Sequence, residues 1–406
     1  MVGTDICNIS RFSKMNNLDK FLKKYFTDSE REYVILKGNR FETIAGIFSA
    51  KEAFVKALGL GFGSIKPIDV EVKHDFSGNP YIVFNSVSLS NKVENVSCSI
   101  SHDGDYAISV VSISLKDNLC IDDEYKYILK ERDIFGNKGT FGKVGIIGGS
   151  AGMCGSVDLC AKSSLRSGCG LVYNVCPKSI SDILQIKAVE NIVLPINDNH
   201  VGHFILDSLP DILNYLSKFD AVAIGCGMGE YFENIEVLDF ILQNFKKPVV
   251  IDADGIKAFK NIQHKFSDRK NIILTPHCAE FSFLSNQDLE YINKNRLESV
   301  IDYVDNIKSK STVVLKGKGS IIFSNGNYCV NKTGNDGMAT AGSGDCLTGI
   351  IVSLLAQGLK PFESAKLGVY LHGLAGDLAA DEIGKDSLIA SDIIEFLPKA
   401  FNLIRR

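Results

Sequence analysis

The sequence predicts two domains of different class. Residues 1–118 read as α+β, and residues 119–406 as α/β with a largely parallel sheet covered by helices. Three observations lead there. The length, 406 residues, suits two domains at roughly 100–200 residues each. The stretch SLKDNLCIDDEYKY, from Ser114 to Tyr127, is polar and aperiodic, which puts the boundary near residue 118. Beyond it the chain turns glycine-rich (FGNKGTFGKVGIIGGSAGMCG), and apolar runs begin to alternate with helical stretches.

In the first segment, Val2–Ile9 is a strand candidate, and Arg40–Leu58 carries apolar residues at helical spacing. IDVEV from Ile68, then YIVF, SCSISH and YAISVVSISL, read as strands, with turns at Ser77-Gly78-Asn79-Pro80 and Asp103-Gly104. In the second segment the strand candidates are KVGIIGG, GLVYNV, AVAIGCG, PVVIDAD, NIILT, TVVLKG and SIIFSN. Such continuous apolar runs, separated by helices, suit a parallel sheet buried on both faces. Ligands of such sheets sit outside the carboxyl ends of the strands, where most of the glycine clusters fall.

Composition narrows the function. At 45% apolar and 23% charged residues, disorder, collagen and coiled coil are excluded. The longest apolar run, Cys346–Ala356, is well short of the ~20 residues that span a bilayer, and the N-terminus lacks the pattern of a signal peptide. The eleven cysteines are scattered without a C-x-x-C, as expected of reduced thiols in the cytoplasm. No membrane or nucleic-acid partner is expected. Residues 1–66 carry 11 Lys+Arg against 7 Asp+Glu, while the remainder carries 33 against 41. That mildly basic surface suits an acidic partner or a phosphate-rich ligand, or is simply a solvated helix face.

Two acids stand out in the first segment. Asp5 lies within a strand, where a charge is unwelcome unless paired or metal-bound. Glu52 interrupts the apolar stripe Phe41, Ala45, Phe48, Val55. It either pairs with Lys56 one turn on, worth ~0.2–0.5 kcal/mol, or joins Asp5 in holding Mg²⁺, a hard cation that takes one or two carboxylates plus substrate phosphates. The blocks GTDI, KEAFVKALG and SISHD, in that order over residues 1 to about 116, resemble holo-acyl-carrier-protein synthase. That family moves 4′-phosphopantetheine from coenzyme A to a serine of apo acyl carrier protein. The resemblance implies a phosphopantetheinyl transferase-like fold with Asp5 and Glu52 as catalytic Mg²⁺ ligands. It implies Lys51 and Lys56 on phosphates, His102 near the nucleotide, Arg11 facing the carrier, and a site completed in a homo-oligomer, a trimer. Ile47 stands where many relatives have a basic residue.

In the second segment, GIIGGSAGMCG and GCGMGE are not G-x-G-x-x-G, so a Rossmann site is unsupported, and GNKGTFGKV lacks two residues of a P-loop. NDGMATAGSGDCLTG is the strongest cluster. Gly342-Ser343-Gly344 opens an apolar helix, so that backbone N–H groups can crowd a phosphate there. Asp345 is either an N-cap or a base that deprotonates an attacking hydroxyl. VVLKGKGS is a glycine hairpin or a nucleotide cradle. In LTPHCAEF, Thr275 is the expected helix cap, with His277 and Glu280 in the first turn. Asp252 and Asp254 are expected on one side of a strand end, as cap and buried acid or as functional groups.

Together with GGSAGMCGS, LRSGCGLV and YLHGLAGDLAA, these blocks resemble the nucleotide-dependent NAD(P)H-hydrate dehydratases, from about residue 125 onward. The resemblance implies a ribokinase-like fold and repair of hydrated NADH and NADPH at the expense of ADP or ATP. Asp345 becomes the catalytic base. Lys316, Gly317, Lys318, Gly319, Ser320 and Gly344 bind nucleotide, and Ser156, Gly227 and His277 line the hydrate pocket. Ser156 replaces the family's usual alanine. The alternative is a small-molecule kinase joined to a non-catalytic carrier-protein-binding segment.

Overall fold

The computed structural model describes residues 1–59, 65–85, 89, 93–115 and 123–405. The chain forms two compact units, Met1–Cys120 and Ile121–Arg406. The boundary expected near residue 118 lies outside the described residues.

In the first unit, β1 (Val2–Asn8) and β4 (Val93–Asp103) flank β5 (Tyr106–Leu115) in an antiparallel sheet, and β2 (Val70–His74) pairs with β3 (Pro80–Phe84) as a separate hairpin. One face of the three-stranded sheet covers the helix Phe41–Ala57, whose Ile44, Ala45, Ile47, Phe48, Phe54 and Val55 are buried with Cys7, Val111 and Ile113. Gly3 permits this approach: a Cβ there would stand 2.1 Å from the carbonyl oxygen of Ala53. Among the described residues of this unit, the other face is bare. Val2, Ile6, Tyr106, Ile108 and Val110 are 41–66% exposed on neighbouring strands.

The second unit carries, among the described residues, a nine-stranded sheet in the order β14-β13-β12-β11-β10-β9-β6-β7-β8. These strands are β6 (Lys143–Ile147), β7 (Leu171–Pro177), β8 (Ile192–Ile196), β9 (Ala221–Ile224), β10 (Val249–Ile251), β11 (Ile272–Leu274), β12 (Thr312–Leu315), β13 (Ile321–Ser324) and β14 (Asn327–Val330). The pairs from β8 to β12 are parallel, and β13 and β14 close one edge antiparallel. The side chains alternate between two cores. Ile147, Val222, Ile224, Ile251 and Leu274 meet helices such as Asn234–Asn244 and Arg296–Ile307 on one face. Ile146, Ala221, Ala223, Val250 and Ile273 meet Cys154–Arg166, Ser343–Ala356 and Pro361–Ile383 on the other. Both faces are therefore dry, as a parallel sheet requires.

The strand order reverses beside β6: β7 and β8 extend to one side, β9 to β12 to the other. A crevice at the carboxyl ends of β6 and β9 follows from that reversal. β8 and β14 were not among the strands expected from sequence. Pro195 interrupts the pattern of β8, an edge strand that tolerates it. In β14, Asn327 and Tyr328 face outward and only Cys329 is half-buried, so no buried run marks it. Among the described residues no helix is long and apolar enough to cross a membrane, and the ten described cysteines are free.

Candidate functional sites

The crevice in the second unit gathers residues from five distant segments. The helix Ser343–Ala356 starts at Gly342, whose φ of 88° suits glycine alone, and no side chain caps it. Asp345 sits in its first turn and so is free for other contacts. Its carboxylate oxygen, the Cys226 Sγ and a carboxylate oxygen of Asp252 lie within 4.8 Å of one another. Burial is the main force raising the Asp345 carboxyl, to about 6, with the Asp252 charge adding to it. Hydrogen bonds from Cys226 and Ser156 and the charge on Lys316 pull the other way. An acid held near 6 is poised to take a proton at neutral pH.

Lys316 follows β12, and its Nζ lies 2.7 Å from Asp252 Oδ1 and 3.8 Å from Glu280. Burial lowers its affinity for a proton, but the two acids outweigh that and hold it charged. Thr348 donates to the other Asp252 oxygen at 2.7 Å. A Cβ on Gly344 would sit 3.2 Å from Lys316 Nζ, so glycine keeps the space beside the ammonium open. Gly317 to Ser320 turn between β12 and β13, and the Arg296 guanidinium donates to the carbonyls of Leu315, Lys316, Lys318 and Gly319 from beneath. The turn thus has its carbonyls engaged from the protein side. Gly317 and Lys318 are exposed.

His277 and Lys316 form a parallel bridge that joins the two blocks. His277, not Thr275, caps the helix Cys278–Ser285: its Nδ1 accepts from the Glu280 N–H at 3.1 Å, while Thr275 is buried and donates to Ile251. Asp252 and Asp254, expected on one side of a strand end, have separate partners. Ala253 between them adopts φ 47° and ψ −123°, a strained conformation for a non-glycine residue. It sends Asp252 to Lys316 and Thr348, and Asp254 to the Gly229 N–H at 2.8 Å. Gly227 is packed so closely that a Cβ would stand 3.1 Å from the Ser156 Cβ. Sequence reasoning missed Cys226, whose neighbours only the fold brings together.

Another missed residue is His372, on the long helix Pro361–Ile383. Its Nε2 lies 3.0 Å from the Ser343 carbonyl oxygen and 3.3 Å from its hydroxyl, and burial lowers its pKa to about 4. The ring is neutral at pH 7 and buttresses the first turn that carries Asp345.

In the first unit, Asp5 on β1 meets Lys56 on the helix at 2.8 Å. Burial raises the Glu52 carboxyl, and the Asp5 charge raises it further, against Lys56 and Arg11. The Asp5 charge opposes ionisation of Glu52, a repulsion that a divalent cation held between the two would relieve. Arg11 lies over the rings of Phe12 and Phe48, 5.4 Å from each. His102 is exposed on β4, next to the turn before β5.

Lys51 is a correction. Its side chain is wholly buried, pairs with the equally buried Glu30 at 2.7 Å, and donates to the carbonyls of Tyr25 and Pro67. Burial drives both groups towards neutrality and their pairing opposes it. An ammonium so enclosed holds the fold and not an external phosphate. Ile47 is 1% exposed, an apolar core contact.

A doubly wound sheet, a glycine-opened helix carrying an acid, and a lysine across the crevice define a ribokinase-like enzyme domain. A ribokinase-like protein of Enterococcus faecalis matches it at TM-score 0.61 and 27% identity over 70% of this chain and 96% of that one. The model of the NAD(P)H-hydrate dehydratase family matches residues 144–399, and the chain belongs to that family. The model of the 4′-phosphopantetheinyl transferase superfamily matches residues 1–111.

Among relatives, a bifunctional NAD(P)H-hydrate repair enzyme of Moorella thermoacetica is 37% identical over 272 residues, covering 66% of this chain and 51% of that one. The chain thus spans about half the length of such relatives. An ADP-dependent (S)-NAD(P)H-hydrate dehydratase of Neisseria meningitidis is 35% identical over 66% of this chain and 88% of its own length. The ADP/ATP-dependent NAD(P)H-hydrate dehydratase of Bacillus subtilis, co-crystallised with ATP and Mg²⁺, matches at TM-score 0.59 and 25% identity, over 70% of this chain and 97% of that one.

Proposed function

We propose that the protein is a bifunctional cytoplasmic enzyme, a phosphopantetheinyl transferase over residues 1–118 and a nucleotide-dependent NAD(P)H-hydrate dehydratase over residues 119–406. The observation that carries the second half is Asp345, raised to about 6 at the glycine-opened start of a helix. Asp345 takes the proton of the hydroxyl on the hydrated nicotinamide ring. That oxygen then bonds to the terminal phosphorus of ADP (or ATP), whose bridging P–O bond breaks and releases AMP (or ADP). Phosphate then leaves that ring carbon, a proton leaves the neighbouring ring carbon, and the double bond of NADH or NADPH is restored. Lys316 and the amides of Gly317 to Ser320 and Gly344 hold the nucleotide phosphates. Ser156, Gly227 and His277 line the hydrate side.

In the first half, Asp5 and Glu52 would hold Mg²⁺, which offsets charge on the phosphoryl group being transferred. Lys56 approaches the coenzyme A phosphates, His102 the nucleotide end, and Arg11 the acidic acyl carrier protein. The serine hydroxyl of the carrier bonds to the phosphopantetheine phosphorus, and 3′,5′-ADP leaves. The bare apolar face of β1 and β5 supports a homo-oligomer, with trimeric contacts through this domain.

Two assays test the reading. Hydrated NADH supplied with ADP, and separately with ATP, should regain nicotinamide absorbance. Apo carrier protein with coenzyme A and Mg²⁺ should gain the mass of phosphopantetheine. No recovery with either nucleotide removes the dehydratase half, and an unmodified carrier where a control synthase succeeds removes the other.

A further inference from the structure

We propose that Cys226 is a positioning residue for Asp345: its buried thiol, with the Ser156 hydroxyl, clasps the carboxylate and fixes the orientation of the base. The inference rests on the role given to Asp345 above. Cys226 follows β9 in the loop GCGMG and is 1% exposed. Its Sγ lies within 4.8 Å of the Asp345 carboxylate. The loop cannot drift, because the Cys226 carbonyl accepts from the Gly149 N–H at 2.9 Å and the Gly227 carbonyl accepts from Ser150 Oγ at 3.0 Å. Behind the thiol stands Cys160 of the helix Cys154–Arg166, fully buried and in hydrogen-bond contact with Cys226. Ser156 lies one turn before Cys160 on the same helix, so this single helix presents both supports.

The donor types matter. Across the crevice, Asp252 is held by the Lys316 ammonium and the Thr348 hydroxyl, both stronger donors than a thiol. Asp345 receives instead a thiol, a weak donor, and a hydroxyl. Two carboxylates in one crevice are thus assigned different duties by their partners. Asp252 is taken up as the partner of Lys316 and Thr348. Asp345 is aimed but left basic enough to accept a proton. The charged and titratable groups around it include Asp252, Lys316, Cys226, behind that thiol Cys160, and on its own helix Cys346.

The test reads Asp345 directly and does not depend on turnover. The full chain is labelled with [γ-¹³C]aspartate, and the carboxyl resonance absent from Asp345→Asn is assigned to Asp345 and titrated. Cys226→Ala removes a donor and should move its midpoint upward. Cys226→Ser supplies a stronger donor and should move it downward. Cys160→Ala should move it upward by less than Cys226→Ala. If the wild type proves active, the acid limb of its kcat profile should move with each variant, with kcat at pH 6 falling severalfold more than at pH 8 in Cys226→Ala. Midpoints for Cys226→Ala and Cys226→Ser that coincide with wild type, or that move in the same direction, overturn the proposal. Should Cys226→Ala not fold, the downward shift in Cys226→Ser decides alone. Loss of dehydratase activity in every form with the titration shifts intact would refute the enzyme assignment and leave the clasp standing.

Discussion

Asp345 links stability to pH with a definite sign. Its carboxyl is raised in the folded state to about 6. Its contribution is therefore full below the ordinary carboxylate value and is lost as pH rises through about 6. Asp345→Asn should abolish dehydration yet raise Tm at pH 8. The gain, at most on the order of 2–3 kcal/mol, should fade below about pH 4. Scanning calorimetry across that range checks it. Wild-type dehydration should also fall as pH drops through about 6, because the base becomes protonated. Lys51 gives a prediction of the opposite kind. Lys51→Ala strands the buried Glu30 carboxylate and should destabilise the first unit by about 3–5 kcal/mol in denaturant unfolding. A raised KM for coenzyme A with unchanged stability would instead restore Lys51 to the phosphate site. At this scale the sequence was legible where a motif carries its own chemistry, as in Gly342 to Asp345. It was not legible where burial decides. Nothing local distinguishes the enclosed Lys51 from the exposed Lys56, since only Glu30 and the carbonyls of Tyr25 and Pro67 make the difference.

Among elements, strands with an uninterrupted buried run, such as β6, β9 and β10, were readable because their apolar side chains alternate between one core and the other. The edge strands β8 and β14 were not, because an edge tolerates proline and exposed side chains that break the pattern. The cap of the helix Cys278–Ser285 was misplaced for a similar reason. Threonine is the commoner cap, but the sheet had already engaged Thr275 and left the role to His277. The contact of β1 with the helix Phe41–Ala57 yields a test. Gly3→Ala inserts a methyl 2.1 Å from the Ala53 carbonyl oxygen, so strand and helix must part. Overpacking of this kind costs about 1–3 kcal/mol or more. It should also shift Asp5 relative to Glu52 and weaken Mg²⁺ affinity severalfold, measurable by calorimetric titration.

For the molecule as a whole, the fold class of each segment was readable from the contrast between clustered strands and alternating strands and helices. The exposure of one sheet face was not, because the sequence marks Ile6, Ile108 and Val110 only as apolar strand residues and does not say which of them reach solvent. Ile108→Lys places a charge amid that bare face. It should lower the mass seen by analytical ultracentrifugation while the second unit's dehydratase activity persists. An unchanged mass would mean that the face is not the contact between copies.

The interior position of β6 constrains how the crevice can come into being. The first strand of the second unit ends inside the sheet, third from one edge, and its neighbour β9 follows only after β7 and β8 have gone to the far side. Asp252 must wait 64 residues for Lys316 and 96 for Thr348. During synthesis on the ribosome, the acid at β10 therefore emerges long before its cation, and Asp345 emerges later still. A nascent chain can lay down most of its sheet while remaining chemically inert.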